Sequence, residues 1–331
     1  MTTLVQSVRG KTWLVILHNA PLLLFVAVFG VFGCLSPRFL TASNLLNVLI
    51  QSSSLAVVAV GMTFVLLAAG IDLSVGSIMF VAAAVAGKLV LAGFNLPLAL
   101  LTIVLVGLAG GVVNAFFVTR LGMIAFVVTL AMQYVGRGLG LLITETRAMN
   151  LPENLLRVGS ARVAGVPFPV LMFAGVVVAA HVVLTRTAFG RCVYAVGYDA
   201  QAAVKAGINV RRVLAAVYII CGLCAGLGGV ISVAQLGAVS PTFGNQREFA
   251  AIAAAVLGGT SLFGGRGGVL PGTVLGAVLV QIVENGLVIV NADPYIYPLI
   301  TSAIIFLAVL LDSVRHAQLA KLKRRRIRVE R

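Results

Sequence analysis

Ten runs of mainly apolar residues follow one another through this 331-residue chain, with approximate bounds of 13–35, 46–69, 74–92, 96–118, 122–143, 166–185, 213–235, 249–262, 269–290 and 295–312. A helix that crosses a bilayer needs about 20 such residues, because each rises about 1.5 Å and the hydrocarbon core is about 30 Å thick. The pattern therefore predicts an all-α, polytopic integral membrane protein with about 8–10 transmembrane helices, ten being the favoured count. The eighth run is the exception. Its length of about 14 residues rises only about 21 Å, so it is expected to be broken or re-entrant, which membrane depth tolerates only where protein surrounds the backbone.

Charge placement sets the expected orientation. Of the 24 Lys and Arg residues, all but Arg38, Lys88, Arg137, Arg147, Arg157, Arg162 and Arg247 fall on one side if the chain starts inside. That bias predicts both termini in the cytoplasm. The expected organisation is a cytoplasmic N-terminus (1–12), a membrane domain (13–312) and a basic cytoplasmic tail (313–331). An external loop covers 144–165 and an internal one 186–212. The net charge of +15 is concentrated in the tail, which suits anionic lipid headgroups; nucleic acid is not an expected partner. The first run is too long for a signal peptide and lacks its cleavage pattern, so it reads as a retained span. Cys221 and Cys224 sit within an apolar run, where small thiols pack on one helix face. No metal site and no catalytic residue is expected.

Ionisable groups inside spans are costly, so Arg137 and Glu284 stand out. Both lie about 15 residues into outward-running spans, which predicts similar depth and an ion pair. Asn47, Gln51 and Ser54 recur at i, i+4 and i+7, one stripe of a helix. This stripe is a candidate path lining or a helix contact, alongside Asn114, Gln133, Gln235, Gln281 and Asn285. Between the second and third runs lies the turn Gly70, Asp72, Ser74, Gly76 and Ser77, in which Asp72 or Ser74 can cap the next helix. In the internal loop, Asp199 suits a helix N-cap, Ala202, Ala203 and Lys205 favour helix, and Gly207 suits the left-handed position that ends it.

The string G-M-T-F-V-x-x-x-A-G-I-D-L-S-V-G-S (61–77) resembles the permease subunits of bacterial ABC importers for monosaccharides, the ribose-type family. Further resemblance lies in F-G-x-x-x-Y-A-V-G and A-A-x-x-A-G-I of the internal loop and in the glycine-rich stretch from Ala254 to Gly268. Tyr198 stands where a second glycine is frequent in that family, and Asp199 where asparagine is. The resemblance implies a sugar-conducting subunit of the bacterial inner membrane whose internal loop docks on a separate ABC ATPase. It implies an extracytoplasmic sugar-binding protein and a second permease, identical or related. ATP and Mg would belong to the ATPase; this chain has no G-x-x-x-x-G-K-[ST] loop and is not expected to be an enzyme or to hold a cofactor. Other cargo for the same machinery includes nucleosides, branched-chain amino acids and furanose-like signals. An ion-driven carrier is the alternative of a different class, with Asp72 and Glu284 as its coupling carboxylates.

Overall fold

The computed structural model describes residues 20–314 except 298, 305, 308, 311 and 312. The N-terminal stretch 1–12 and the tail beyond residue 314 lie outside the described residues. Among those described, six helical stretches are long and apolar enough to cross a membrane: α2 (Ala42–Leu67), α4 (Leu96–Thr119), α5 (Ala125–Thr144), α7 (Phe168–Arg186), α10 (Val210–Leu236) and the stretch Val269–Ile289, whose regular part is α12 (Val274–Ile289). Two apolar helices are shorter, α1 (Ala20–Leu35) and α3 (Val75–Leu91). The described residues thus support a polytopic all-α protein but do not confirm the count of ten spans. The eighth run becomes α11 (Arg247–Leu257), which starts earlier and ends sooner than its apolar composition implied; Gly258 and Gly259 stop it. The described positions from Tyr297 to Val314 are helical, and the rest of the tenth run lies outside the description.

Helix α2 forms the centre. Its apolar window is 83% buried, against 28% for α4 and α7, so it meets protein where the others meet lipid. Ser52 and Ser53 donate to Leu49 O at 3.0 and 2.8 Å; Thr63 bonds Ala59 O of its own helix at 2.7 Å and also Thr273 Oγ1 at 2.7 Å. Ser54 bonds across to α10, with Gly228 O at 2.9 Å and Ser232 Oγ at 2.6 Å. Helices α4 and α10 run antiparallel along a seam of glycines. A β-carbon on Gly222 would lie 2.5 Å from Gly107 O and 2.6 Å from the Gly111 Cα, and one on Gly111 would lie 2.7 Å from Tyr218 O. Such small faces let backbones touch, which gains dispersion contacts that lipid tails cannot supply.

At about 1.5 Å per residue, the 27 residues of α10 span about 40 Å. One end starts at Asn209, which accepts from Arg212 N at 3.0 Å. Beside it lie α8 (Ala188–Tyr198) and α9 (Ala200–Lys205). The other end stops at Gly237, whose carbonyl accepts from Leu151 N at 2.9 Å. There β1 (Met149–Asn150) pairs antiparallel with β4 (Ala238–Val239), α6 (Glu153–Ser160) packs on α10, and β2 (Arg162–Val163) turns into β3 (Val166–Pro167). The two long loops therefore sit at opposite ends of one helix.

Two stretches of non-helical backbone lie between these ends. One joins α2 to α3 through residues 68–74; the other joins β4 to α11 through residues 240–246. They meet where Gly76 faces Gly244: a β-carbon on Gly244 would lie 2.5 Å from Gly76 O.

The glycine seam gives a direct test. Gly222→Val should lower stability by about 1–3 kcal/mol or more, because the neighbouring atoms are backbone and cannot rotate away. Gly138→Ala, on an open face of α5 with nothing within 4 Å, should be neutral or slightly stabilising. Thermal unfolding in a mild detergent separates the two.

Candidate functional site

The turn after α2 is buried and knitted by side chains. Asp72, Ser74 and Ser77 are all fully covered. Asp72 Oδ1 accepts from Ser74 N at 2.9 Å and from Ser74 Oγ at 2.6 Å. The carboxylate thus closes its own turn. Ser74 occupies the N-cap position of α3 without a side-chain capping bond, so neither residue caps the helix in the manner the sequence predicts. Asn114 of α4 donates to Ser74 Oγ at 2.7 Å and reaches both Asp72 oxygens at 3.4 Å. The hydroxyls of Thr129 and Tyr218 approach Ile71 O, each at 3.4 Å. On the other side, Arg137 of α5 donates to Phe243 O at 2.6 Å, and Gln133 donates to Glu248 Oε1 at 2.5 Å. The Arg137 guanidinium also lies over the Phe80 ring, 5.5 Å from its centroid.

Arg137 and Glu284 do not pair. Arg137 has Glu248 as its charged neighbour, both flanking Gly76, whereas Glu284 has Arg247. Arg137 of α5 and Glu284 of α12 face different parts of the bundle, and α11 carries a charged neighbour for each, Glu248 for Arg137 and Arg247 for Glu284. Glu248 is 1% exposed, and sequence reasoning missed it. Its signal was an acid beside an arginine just ahead of the alanine run of a span too short to cross.

A second polar region opens on the opposite side of α11. Two cavities, of about 940 and 680 Å³, share the lining residues Gln51, Arg247, Gln281 and Glu284. The first extends towards Asn285 and Thr301, the second towards Ser232, Gln235 and the loop residues Ser160 and Arg162. Between them Gln281 Nε2 donates to Gln51 Oε1 at 3.0 Å. Nearby amides are also paired: Asn44 and Asn285 bond reciprocally at 3.0 Å, and Gln235 donates to Ile50 O at 2.6 Å. Of the Asn47–Gln51–Ser54 stripe, Gln51 alone lines these cavities. Asn47 is exposed, and Ser54 is spent on the contact with α10.

At the far end of α10, Asp199 caps α9 by accepting from Gln201 N and Ala202 N at 2.9 and 3.0 Å. Gly207, at φ +81°, ends it, with Ile208 N donating to Ala203 O at 3.0 Å. Ala203 is buried, while Ala202 and Lys205 are exposed. Burial pushes the Tyr194 phenol of α8 up from its ordinary pKa.

A family model described as the permease component of the branched-chain amino acid transport system matches residues 44–311. The chain belongs to this permease family. The permease is 39% identical over 323 residues to the ribose import permease protein RbsC of Escherichia coli (strain K12), covering 95% of this chain and 99% of that protein. It is 37% identical to the D-allose transport system permease protein AlsC of the same organism, over 86% and 88% of the two chains. It is 35% identical to the fructose import permease protein FrcC of Rhizobium meliloti, over 89% and 86%. No solved structure matches the permease. Family membership and six apolar helices together make it a multi-pass membrane protein.

The Asp72 turn of the permease depends on Asn114. Asn114→Leu leaves the Ser74–Asp72 pair without its amide donor and should cost about 1–3 kcal/mol. Asn114→Asp should cost more, since it sets a second carboxylate against Asp72. Melting temperatures of the purified variants check the order.

Proposed function

We propose that this permease forms the translocation path of an ATP-driven importer for a monosaccharide. The observation that carries the reading is the 39% identity, across 95% of the chain, to a protein named a ribose import permease. The chemistry of the cavities supports it. Amides and hydroxyls from Gln51, Ser232, Gln235, Gln281, Asn285 and Thr301 match the donors and acceptors of a neutral polyhydroxy solute. These amides already have partners in the protein, Gln51 with Gln281, Asn285 with Asn44 and Gln235 with Ile50 O, so a contact to a passing sugar replaces an existing hydrogen bond and the net affinity stays low. A carrier in transit needs that weakness.

Orientation follows from the basic residues: α8, α9 and the termini face the cytoplasm, and the α6 loop faces outward. The ATPase would dock on α9. That helix presents Val204 and the adjoining Tyr198 at 61% and 64% exposure, an apolar edge beside the cation of Lys205 that suits a protein groove. A second copy or a related permease completes the pore, and an extracytoplasmic binding protein delivers the solute. Closure of the ATPases would push α9 and reorient the helices around the cavities, by alternating access. ATP and Mg reside in the ATPase.

Purification of the tagged permease from native membranes should retain an ABC ATPase, and replacing Asp199–Gly207 by a flexible linker should release it. Proteoliposomes bearing the complex and its binding protein, with ATP inside, should take up one of radiolabelled ribose, allose or fructose, and leucine should not compete. Uptake should persist when ionophores collapse proton and sodium gradients. Uptake that dies with the gradients and ignores ATP would hand the function to an ion-driven carrier.

A further inference from the structure

The loop Gly258–Gly268 joins α11 to the irregular turn before α12, and three backbones meet on it without side chains between them. At the end of α8, a β-carbon on Gly197 would overlap Leu67 O and lie 2.7 Å from Gly265 N. Gly265 N itself donates to Leu67 O at 2.9 Å. A β-carbon on Gly264 would sit 2.5 Å from Gly197 O and 2.7 Å from the Ala69 Cβ, and one on Gly265 would lie 2.9 Å from the Tyr198 Cα. Tyr194 fastens the same junction from α8, donating to Gly267 O at 2.9 Å.

The three partners have different destinations. Leu67 ends α2, which carries Gln51. The loop begins at α11, which carries Arg247, and leads into α12, which carries Gln281 and Glu284. These four are the residues shared by both cavities. Gly197, for its part, lies two residues before Asp199, the cap of α9. Side chains absorb small displacements by changing rotamer; backbone packed on backbone does not, and close-packed protein passes such strain on.

We propose that this backbone junction is the joint through which displacement of α9 reaches the three helices that carry the residues shared by both cavities, with Tyr194, Gly197 and Gly265 as positioning residues for energy coupling. The proposal rests on the reading of α9 as the ATPase contact. It makes the glycine-rich loop a part of the drive train rather than a connector. The path from α9 to the cavity then runs through α8 and this loop, and does not require the Asp72 turn.

The test is the ratio of sugar taken up to ATP hydrolysed in proteoliposomes of the intact complex, using the sugar selected by the uptake assay. Tyr194→Phe removes one hydroxyl and no volume. It should lower the ratio by about 2- to 10-fold, the worth of one net hydrogen bond, while the ATPase stays bound and hydrolyses at a rate close to that of the unaltered complex. Gly197→Ala should lower the ratio further, and Gly138→Ala should leave it unchanged. An unaltered ratio in Tyr194→Phe in an assembled complex overturns the joint. So does a parallel fall in uptake and hydrolysis, which would mean that the residue merely holds the ATPase in place. If the unaltered permease retains no ATPase at all, the importer reading falls and the joint falls with it; the two failures are therefore told apart by the wild-type complex.

Discussion

Backbone that leaves the helix inside a membrane must find partners in protein, because hydrocarbon offers none. Among the described residues, non-helical backbone at 68–74 and 240–246 is packed inside the bundle, and much of the polar chemistry answers those two stretches. Asp72 closes the first turn, and Asn114, Thr129 and Tyr218 bring donors to it from three directions. Arg137 takes the carbonyl of Phe243 in the second. The two breaks also abut through Gly76 and Gly244, so each forms part of the other's wall. What resembles a family signature in the sequence is here a solution to a solvation problem.

The arrangement divides the charged residues of α11 by face. Glu248 turns towards Gln133 and the breaks, and its neighbour Arg247 turns towards the cavities. One residue of helical rotation separates a group buried against the breaks from one that lines the cavities. Together with Gln51, Gln281 and Glu284, Arg247 lies on the boundary between two lobes, and the Gln51–Gln281 bond crosses it. In the proposed importer, the groups at such a boundary would satisfy each other when idle and exchange partners with a passing sugar's hydroxyls.

Much of this was legible in the sequence. The apolar runs marked nearly every helix, and the shortness of the eighth run foretold an interruption. The residues from Asp199 to Gly207 announced a capped, terminated helix by their types alone. Less was legible wherever the answer depended on which helices become neighbours. Hydropathy could not see that Val269–Thr273 is irregular or that α11 ends at Leu257, since glycine and alanine runs score as apolar whether or not they are helical. Counting residues into two spans says nothing of which helices become neighbours, and Arg137 and Glu284 have different charged neighbours. The stripe Asn47–Gln51–Ser54 was real as a periodicity, yet a helix buried on most sides, as α2 is, divides one stripe among several neighbours.

The burial of α2 also bears on how the chain is made. Its partner at Ser54 lies 174 residues further along, and at about 5–20 residues per second that stretch takes on the order of 10–30 s to synthesise. For that interval the future centre of the protein sits in lipid without α10, α11 or α12. Ser52, Ser53 and Thr63 bond their own helix and tolerate the wait. Ser54, bonded to Gly228 and Ser232, and Thr63, bonded to Thr273, each also await a segment that has yet to be translated, so the most deeply packed span of the finished permease is made long before the partners that bury it.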